Sequence, residues 1–145
     1  VHKGEGRLRV HPKSIRKLKE KVREVTGRNN GMSIDTRKAR LNQVIRGWVN
    51  YFRMADMNNL MQSLDEWTRS RIRMVTWKRW KKVRTRFDNL KRAGLDKDTA
   101  WMWANTRKGY WRTAHSPILL RTLSKERFKR AEYLSFVECY SAYRV

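Results

Sequence analysis

Residues 34–54 read IDTRKARLNQVIRGWVNYFRM. Leu41, Val44, Ile45, Trp48, Val49 and Phe52 recur at spacings of three and four, so one face of a helix is apolar. Ser33 stands where an N-cap belongs, and the helix is expected from Ile34 to about Met54. The opposite face carries Asn42, Arg46, Asn50 and Arg53 at spacings of 4, 4 and 3. Carboxamides donate and accept, and guanidinium forks match phosphates and base edges. That row suits a groove for a nucleic-acid backbone, or it is an ordinary solvated face. Gly47 lies inside the helix, where glycine costs about 1 kcal/mol relative to alanine. It admits close approach of an RNA backbone or of a neighbouring helix, and helix packing is the expectation.

The flanks repeat the pattern. Pro12 suits a first helical turn, Ile15, Leu18, Val22 and Val25 follow at 3-4-3 spacing, and Gly27 is a natural stop. After the loop, Asp56 can cap a third helix through Met57, Leu60, Met61, Leu64, Trp67, Ile72 and Val75. Three amphipathic helices joined by short turns outline a bundle. Beyond it, shorter helices are expected: 84–93 with Phe87 and Leu90 inward, and one capped by Asp96 and ending near Gly109. Others start at Ser116-Pro117 and Ser124, and Ser135 with Glu138 has capping-box spacing. The fold class is all-α, a three-helix bundle followed by a smaller helical subdomain. The expected division is 1–12 as a lead-in with one strand at Leu8 to Val10, then 13–82, then 83–145, with the break near Lys81 to Thr85.

The composition narrows the function. The 145 residues include 36 Lys and Arg against 13 Asp and Glu, a net charge of +23. A chain of this length buries roughly 68–70% of its unfolded surface, so a core is feasible. Seven Trp, five Tyr and four Phe argue against a disordered basic tail. Such charge destabilises a compact state by self-repulsion, and a polyanionic partner explains it. One cysteine, Cys139, allows no internal disulfide framework and no Cys-based zinc site. Three scattered histidines, with no HExxH or CxxC spacing, offer no metal centre, and no apolar run approaches a membrane span of roughly 20 residues. No cofactor and no membrane partner are expected, and the setting is expected to be the reducing cytoplasm.

The sharpest feature is the window 69–86. It holds Arg69, Arg71, Arg73, Lys78, Arg79, Lys81, Lys82, Arg84 and Arg86, nine cations in eighteen positions with no carboxylate. Solvated helices usually intersperse acidic residues for pairing and solubility. Cations here would neutralise phosphates and release counterions. Trp77 and Trp80 share a helical face with Arg69 and Arg73, and core packing is placed ahead of base stacking for both. A third cluster is Arg107, Lys108, Tyr110, Trp111 and Arg112, where cations adjoin two aromatics. Arg107 and Lys108 could equally serve a helix dipole. Trp101 is expected in the core, and His115 as a structural hydrogen-bonding residue.

No catalytic constellation appears. Asp65 and Glu66 are adjacent, so their side chains diverge on a helix, and no glycine-rich loop precedes a helix to cradle a nucleotide.

The run 41–52, LNQVIRGWVNYF, resembles the LNxxxRGWxNYF signature of the group II intron maturase-specific domain, also called domain X or the thumb. HPKSIRKLKEKVREVTGRNNG at 11–31 is similar to that family's first helix and turn, and LDEWTRSRIRMVTWKRWKK at 64–82 to its basic third helix. The resemblance spans residues 7 to 82. ANTRKGYWRTAHSPIL at 104–119 resembles the C-terminal extension of bacterial group II intron proteins, often described as DNA-binding. The resemblance implies a thumb that follows a reverse-transcriptase palm, grips intron RNA, promotes its splicing-competent fold and supports the template–primer duplex. The RNA performs the splicing chemistry. Group II intron RNA is thus the implied partner, with target DNA, an RNA–DNA duplex and a palm domain as others. The implied location is a bacterial cytoplasm, with the nucleoid or a ribonucleoprotein.

The chain carries no Tyr-x-Asp-Asp motif and no His-Asn-His endonuclease with its cysteine pairs, so it is not expected to be an enzyme by itself. Lacking those motifs, the chain is expected to be a C-terminal fragment, a split maturase or a remnant that keeps binding. Two alternatives stand beside the maturase module. One is a non-catalytic subunit that completes a reverse transcriptase with a separate palm chain, joined through the first helix and the Leu8 to Val10 strand. The other is a generic DNA-binding protein that reads duplex through residues 84–145.

Overall fold

The structure, a computed structural model, describes residues 2–4, 7–27 and 31–143. The fold is all-α. Among the described residues there are nine helices: α1 (Pro12–Val25), α2 (Ile34–Phe52), α3 (Asn58–Arg79), α4 (Val83–Arg92), α5 (Lys97–Ala104), α6 (Tyr110–Ala114), α7 (Pro117–Thr122), α8 (Lys125–Arg130) and α9 (Phe136–Tyr143). A short antiparallel hairpin precedes them, β1 (His2–Gly4) with β2 (Arg7–Arg9), in the register His2 with Arg9. The expected single strand therefore lies one residue earlier and has a partner. Asp56 N donates to Leu8 O at 2.8 Å, which ties β2 to the turn between α2 and α3.

Local capping accounts for most helix starts. Ser33 Oγ accepts from Thr36 N at 3.2 Å, Asp96 Oδ2 from Thr99 N at 3.1 Å, and Ser116 Oγ from Leu119 N at 3.3 Å. Each satisfies one of the four N–H groups that a helix start leaves without an intrahelical acceptor. The Asp96 carboxyl is held below the usual carboxylate range by Thr99, through its side chain and its amide. Gly94 ends α4 at φ +103°, a conformation open to glycine but strained for other residues. Leu95 N then reaches back to Leu90 O at 3.2 Å and closes the helix end.

The chain divides into two compact units, Val1–Thr68 with Lys129–Val145, and Arg69–Phe128. The boundary falls inside α3 rather than in the break at 81–85, and the last residues belong with the first. In the first unit α2 packs against both α1 and α9. Leu18, Val22, Leu41, Ile45, Val49, Met61, Leu64 and Phe136 form its buried interior.

The physical reason lies in buried polar contacts that the C-terminal segment makes. The Asp65 carboxylate accepts from Phe136 N at 2.6 Å, Val137 N at 3.0 Å and Ser135 Oγ at 2.6 Å, so a residue of α3 caps α9. Ser135 Oγ also accepts from Glu138 N at 3.3 Å. Tyr140 donates from its hydroxyl to Ala55 O at 2.6 Å and accepts from Met57 N at 3.3 Å. Buried polar groups need such partners, and these supply them across more than 60 residues of chain.

In the second unit α5 packs on α4. Ala100 and Ala104, one turn apart, are fully buried there. Trp101 is one residue on, turned about 100° round the helix, and 52% exposed. Its ring meets Phe87 edge-on at 5.5 Å instead of filling the core. This corrects the expectation that Trp101 is interior: two small residues made the tighter seam. Met74, Val75 and Ala114 form a second small core, with Tyr110 packed against it.

Candidate nucleic-acid interface

The basic run at the end of α3 holds two kinds of cation. Arg73 is buried, 4% exposed. Its Nε donates to Leu123 O at 2.8 Å, and its guanidinium lies 5.4 Å from the Phe128 ring centre. Burial, and then the neighbouring Arg69, lower its pKa to about 10, so it stays charged at neutral pH. A phosphate cannot reach it, and Arg73 is corrected from a candidate contact to a structural cation. Arg86 is half-buried, stacked 4.4 Å from the Trp77 ring centre, with Nη2 donating to Trp77 O at 3.3 Å. Burial lowers its pKa, and the Tyr110 hydroxyl beside it partly offsets that. Arg86 is thus engaged by Trp77 and Tyr110 at a half-buried position rather than standing ready for a ligand. Trp77 is 1% exposed, a core residue as expected. Trp80 is half-buried, and its ring lies 6.1 Å from that of Trp77.

The helix ends at Arg79, and the next three cations are solvent-facing. Arg79, Lys81, Lys82 and Arg84 are exposed, whereas Arg69, Arg71 and Lys78 are half-buried. Arg84 pairs with Asp88 at 3.4 Å one helical turn on, with both side chains exposed. Exposed pairs of this kind hold a side chain by well under 1 kcal/mol, so Arg84 remains available.

The third cluster folds differently from the expectation. α5 stops at Ala104 with Asn105 as its C-cap, so Arg107 and Lys108 lie in the loop after that helix and not in its last turn. Tyr110, Trp111 and Arg112 begin α6, with Gly109 as its N-cap. Arg107, Lys108, Trp111 and Arg112 are exposed. The fold brings this cluster to the basic run: the Arg71 guanidinium lies 6.0 Å from the Trp111 ring centre. His115 Nδ1 donates to Trp111 O at 2.8 Å, and its ring packs edge-on to the indole at 4.4 Å. His115 therefore orients Trp111, a structural role in keeping with the sequence.

The polar row of α2 splits as well. Asn42 Nδ2 donates to Glu132 O and its Oδ1 accepts from Leu134 N, both at 2.9 Å. It clamps the segment ahead of α9, where Glu132 has φ +67°, and is corrected from a groove residue to a structural one. Arg46, Asn50 and Arg53 are exposed. Arg53 folds back, Nη1 donating to Asn50 O at 2.9 Å at the end of α2. Arg46 lies near Cys139, whose thiol is pushed up by burial and opposed by that guanidinium.

Gly47 corrects another expectation. A Cβ built on it would meet nothing within 4 Å, so no neighbouring helix needs the glycine. It opens instead onto a groove of about 510 Å³ between α1 and α2. Lys17 and Lys21 of α1 edge that groove, and Trp48 and Tyr51 of α2 face them. Neither lysine nor Tyr51 was singled out in the sequence. The signal was there in the spacing Lys13, Lys17, Lys21, one residue per turn on one helical face.

Among the described residues no cluster of three His, Cys, Asp or Glu side chains could hold a metal ion. No described helix is long and apolar enough to cross a membrane. A comparison with curated proteins found no significant match. The family model described as "Group II intron, maturase-specific domain" matches residues 15–94, from α1 through α4. That match covers more than half of the chain and includes both the α2 signature and the basic end of α3, so the chain belongs to the group II intron maturase-specific domain family.

Proposed function

We propose that this chain is a non-catalytic RNA-binding module that grips group II intron RNA and favours its splicing-competent fold. The family match supports a maturase-related role in general, with intron RNA as the general partner. The observation that carries the finer reading is the exposed cationic stretch Arg79, Lys81, Lys82 and Arg84, unbroken by any acidic side chain. Arg107, Lys108 and Arg112 add charge in the same compact unit, and Trp111 adds an exposed ring for stacking. Phosphate contacts supply affinity and orientation; ring stacking adds preference for unpaired bases. Support of a template–primer duplex, and DNA contact through 83–145, belong to the same proposal.

The test is binding to a structured group II intron RNA beside length-matched unrelated RNA and duplex DNA, across a salt titration. With 6–10 phosphates contacted, affinity should fall about 10³–10⁵-fold from 50 to 200 mM salt, and the preference for the intron should persist. Equal affinities that collapse together would remove the maturase reading and leave a nonspecific cationic binder.

A second reading has its own support in the β1–β2 hairpin. Two strands alone are marginally stable in water, so a partner sheet would stabilise them. A separately encoded palm chain, completed by this one, fits that need. Association of the two purified chains tests it, and no measurable complex would reject it.

A further inference from the structure

We infer that the groove between α1 and α2 is a slot for an unpaired RNA strand, seating one base against Tyr51 and Trp48 and its phosphates along α1. This rests on the RNA-binding reading above and names a site for it in the other compact unit.

The argument starts at Gly47. Glycine in a helix interior is destabilising, and packing usually compensates where it persists. Here nothing within the chain occupies the space a side chain would take. The groove beside it has a volume of about 510 Å³, within the 300–1,000 Å³ or so of sites that hold a small organic group. A side chain at 47 would project into it.

The walls match one chemistry. Every charged residue lining the groove is a cation, Lys17 and Lys21. Lys13 continues the row one turn earlier, so exposed amines recur about every 6 Å along α1. Across from them, Tyr51 is 79% exposed, an unusual state for a large ring. Trp48 is half-buried and braced by Phe52 at 4.7 Å and Phe136 at 6.3 Å, so its ring is held in place before any ligand arrives. Gln43 at the edge can both donate to and accept from a base edge. A cationic track beside aromatic platforms is how single strands are held without a sequence requirement. An apolar partner helix would use the floor of Leu18 and Phe52, but it would face Lys17 and Lys21 in a lining that holds no carboxylate.

The experiment measures binding of a ten-nucleotide unstructured oligouridine and, in parallel, a structured intron RNA. The intact chain is compared with Gly47→Leu and Tyr51→Ala. Gly47→Leu places its Cβ where nothing lies within 4 Å, projects into the slot and improves helix propensity, so its unfolding midpoint should be unchanged or higher. Single-strand affinity should fall about 5- to 100-fold in each variant. Oligouridine carrying 4-thiouridine should photo-crosslink to Trp48 or Tyr51. A folded Gly47→Leu chain that binds oligouridine as tightly as the unsubstituted one would overturn the slot, as would crosslinks confined to residues 69–128. Either result leaves the intron-RNA reading standing if the intron is still preferred. Failure of the unsubstituted chain to bind any RNA would overturn both.

Discussion

Arg73 and Arg79 belong to one basic window free of carboxylates and do opposite things. Arg73 is spent inside the second unit, on a carbonyl and a phenyl ring. Arg79, less than two turns on, faces water. α2 repeats the contrast in its polar row, where Asn42 is engaged on both sides of its carboxamide and Arg46, one turn later, is exposed. The lesson is that a count of cations overstates an interface. A run this dense also supplies the charges that pin the fold, and only its exposed remainder is free to meet phosphate.

The strongest way to break that comparison is to remove the exposed remainder. Replacing Arg79, Lys81, Lys82 and Arg84 together by Gln should weaken RNA binding on the order of 10³-fold at 0.1 M salt. The salt slope should become shallower by about 3 to 4 if all four touch phosphate. Stability should move by no more than about 0.5 kcal/mol per site, because exposed substitutions away from special contacts are nearly neutral. Anisotropy titrations with a denaturation curve alongside decide it. An unchanged salt slope would mean that these side chains are solvated bystanders.

Arg73 gives the opposite expectation. Arg73→Ala leaves Leu123 O without its donor and opens a cavity beside Phe128. The expected loss is about 2–4 kcal/mol of stability, read from urea or thermal unfolding. RNA affinity, measured on the folded fraction, should change less than threefold. A stable Arg73→Ala chain that had lost RNA binding would reverse the assignment.

What was legible follows from distance along the chain. The caps at Ser33, Asp96, Ser116 and Ser135 were readable because each acts on an amide three residues away. The α2 stripe was readable because periodicity is local: Leu41, Ile45, Val49 and Phe52 are buried. Val44 and Trp48, at the edge of the same stripe, are half-buried instead and line the groove. The misreadings of Arg73, Asn42 and the C-terminal segment involve partners far off in sequence. Arg73 finds its acceptor 50 residues away, and Asp65 serves amides 71 and 72 residues away. No spacing rule joins such residues, so the return of α9 to the first unit could not be seen in advance. Of the expected contacts, the exposed cations after α3 and around α6 stand clear on the surface. The buried and half-buried ones were invisible as such, because burial is decided by what packs over a face.

The smallest expected effect tests the contrast where charge plays no part. Asn42 holds the Glu132–Leu134 segment with one donor bond and one acceptor bond. Asn42→Ala strands the part-buried Leu134 amide and leaves the exposed Glu132 carbonyl to water, which should cost about 1 kcal/mol. Arg46→Ala, one turn along the same face, should change stability by about 0.5 kcal/mol or less. Hydrogen exchange gives the sharper readout. In Asn42→Ala the amides of Leu134, Phe136 and Val137 should exchange faster, because the clamp and the Asp65 cap hold adjacent parts of one segment. Faster exchange confined to α2 would show that the carboxamide serves its own helix and not the chain 90 residues away.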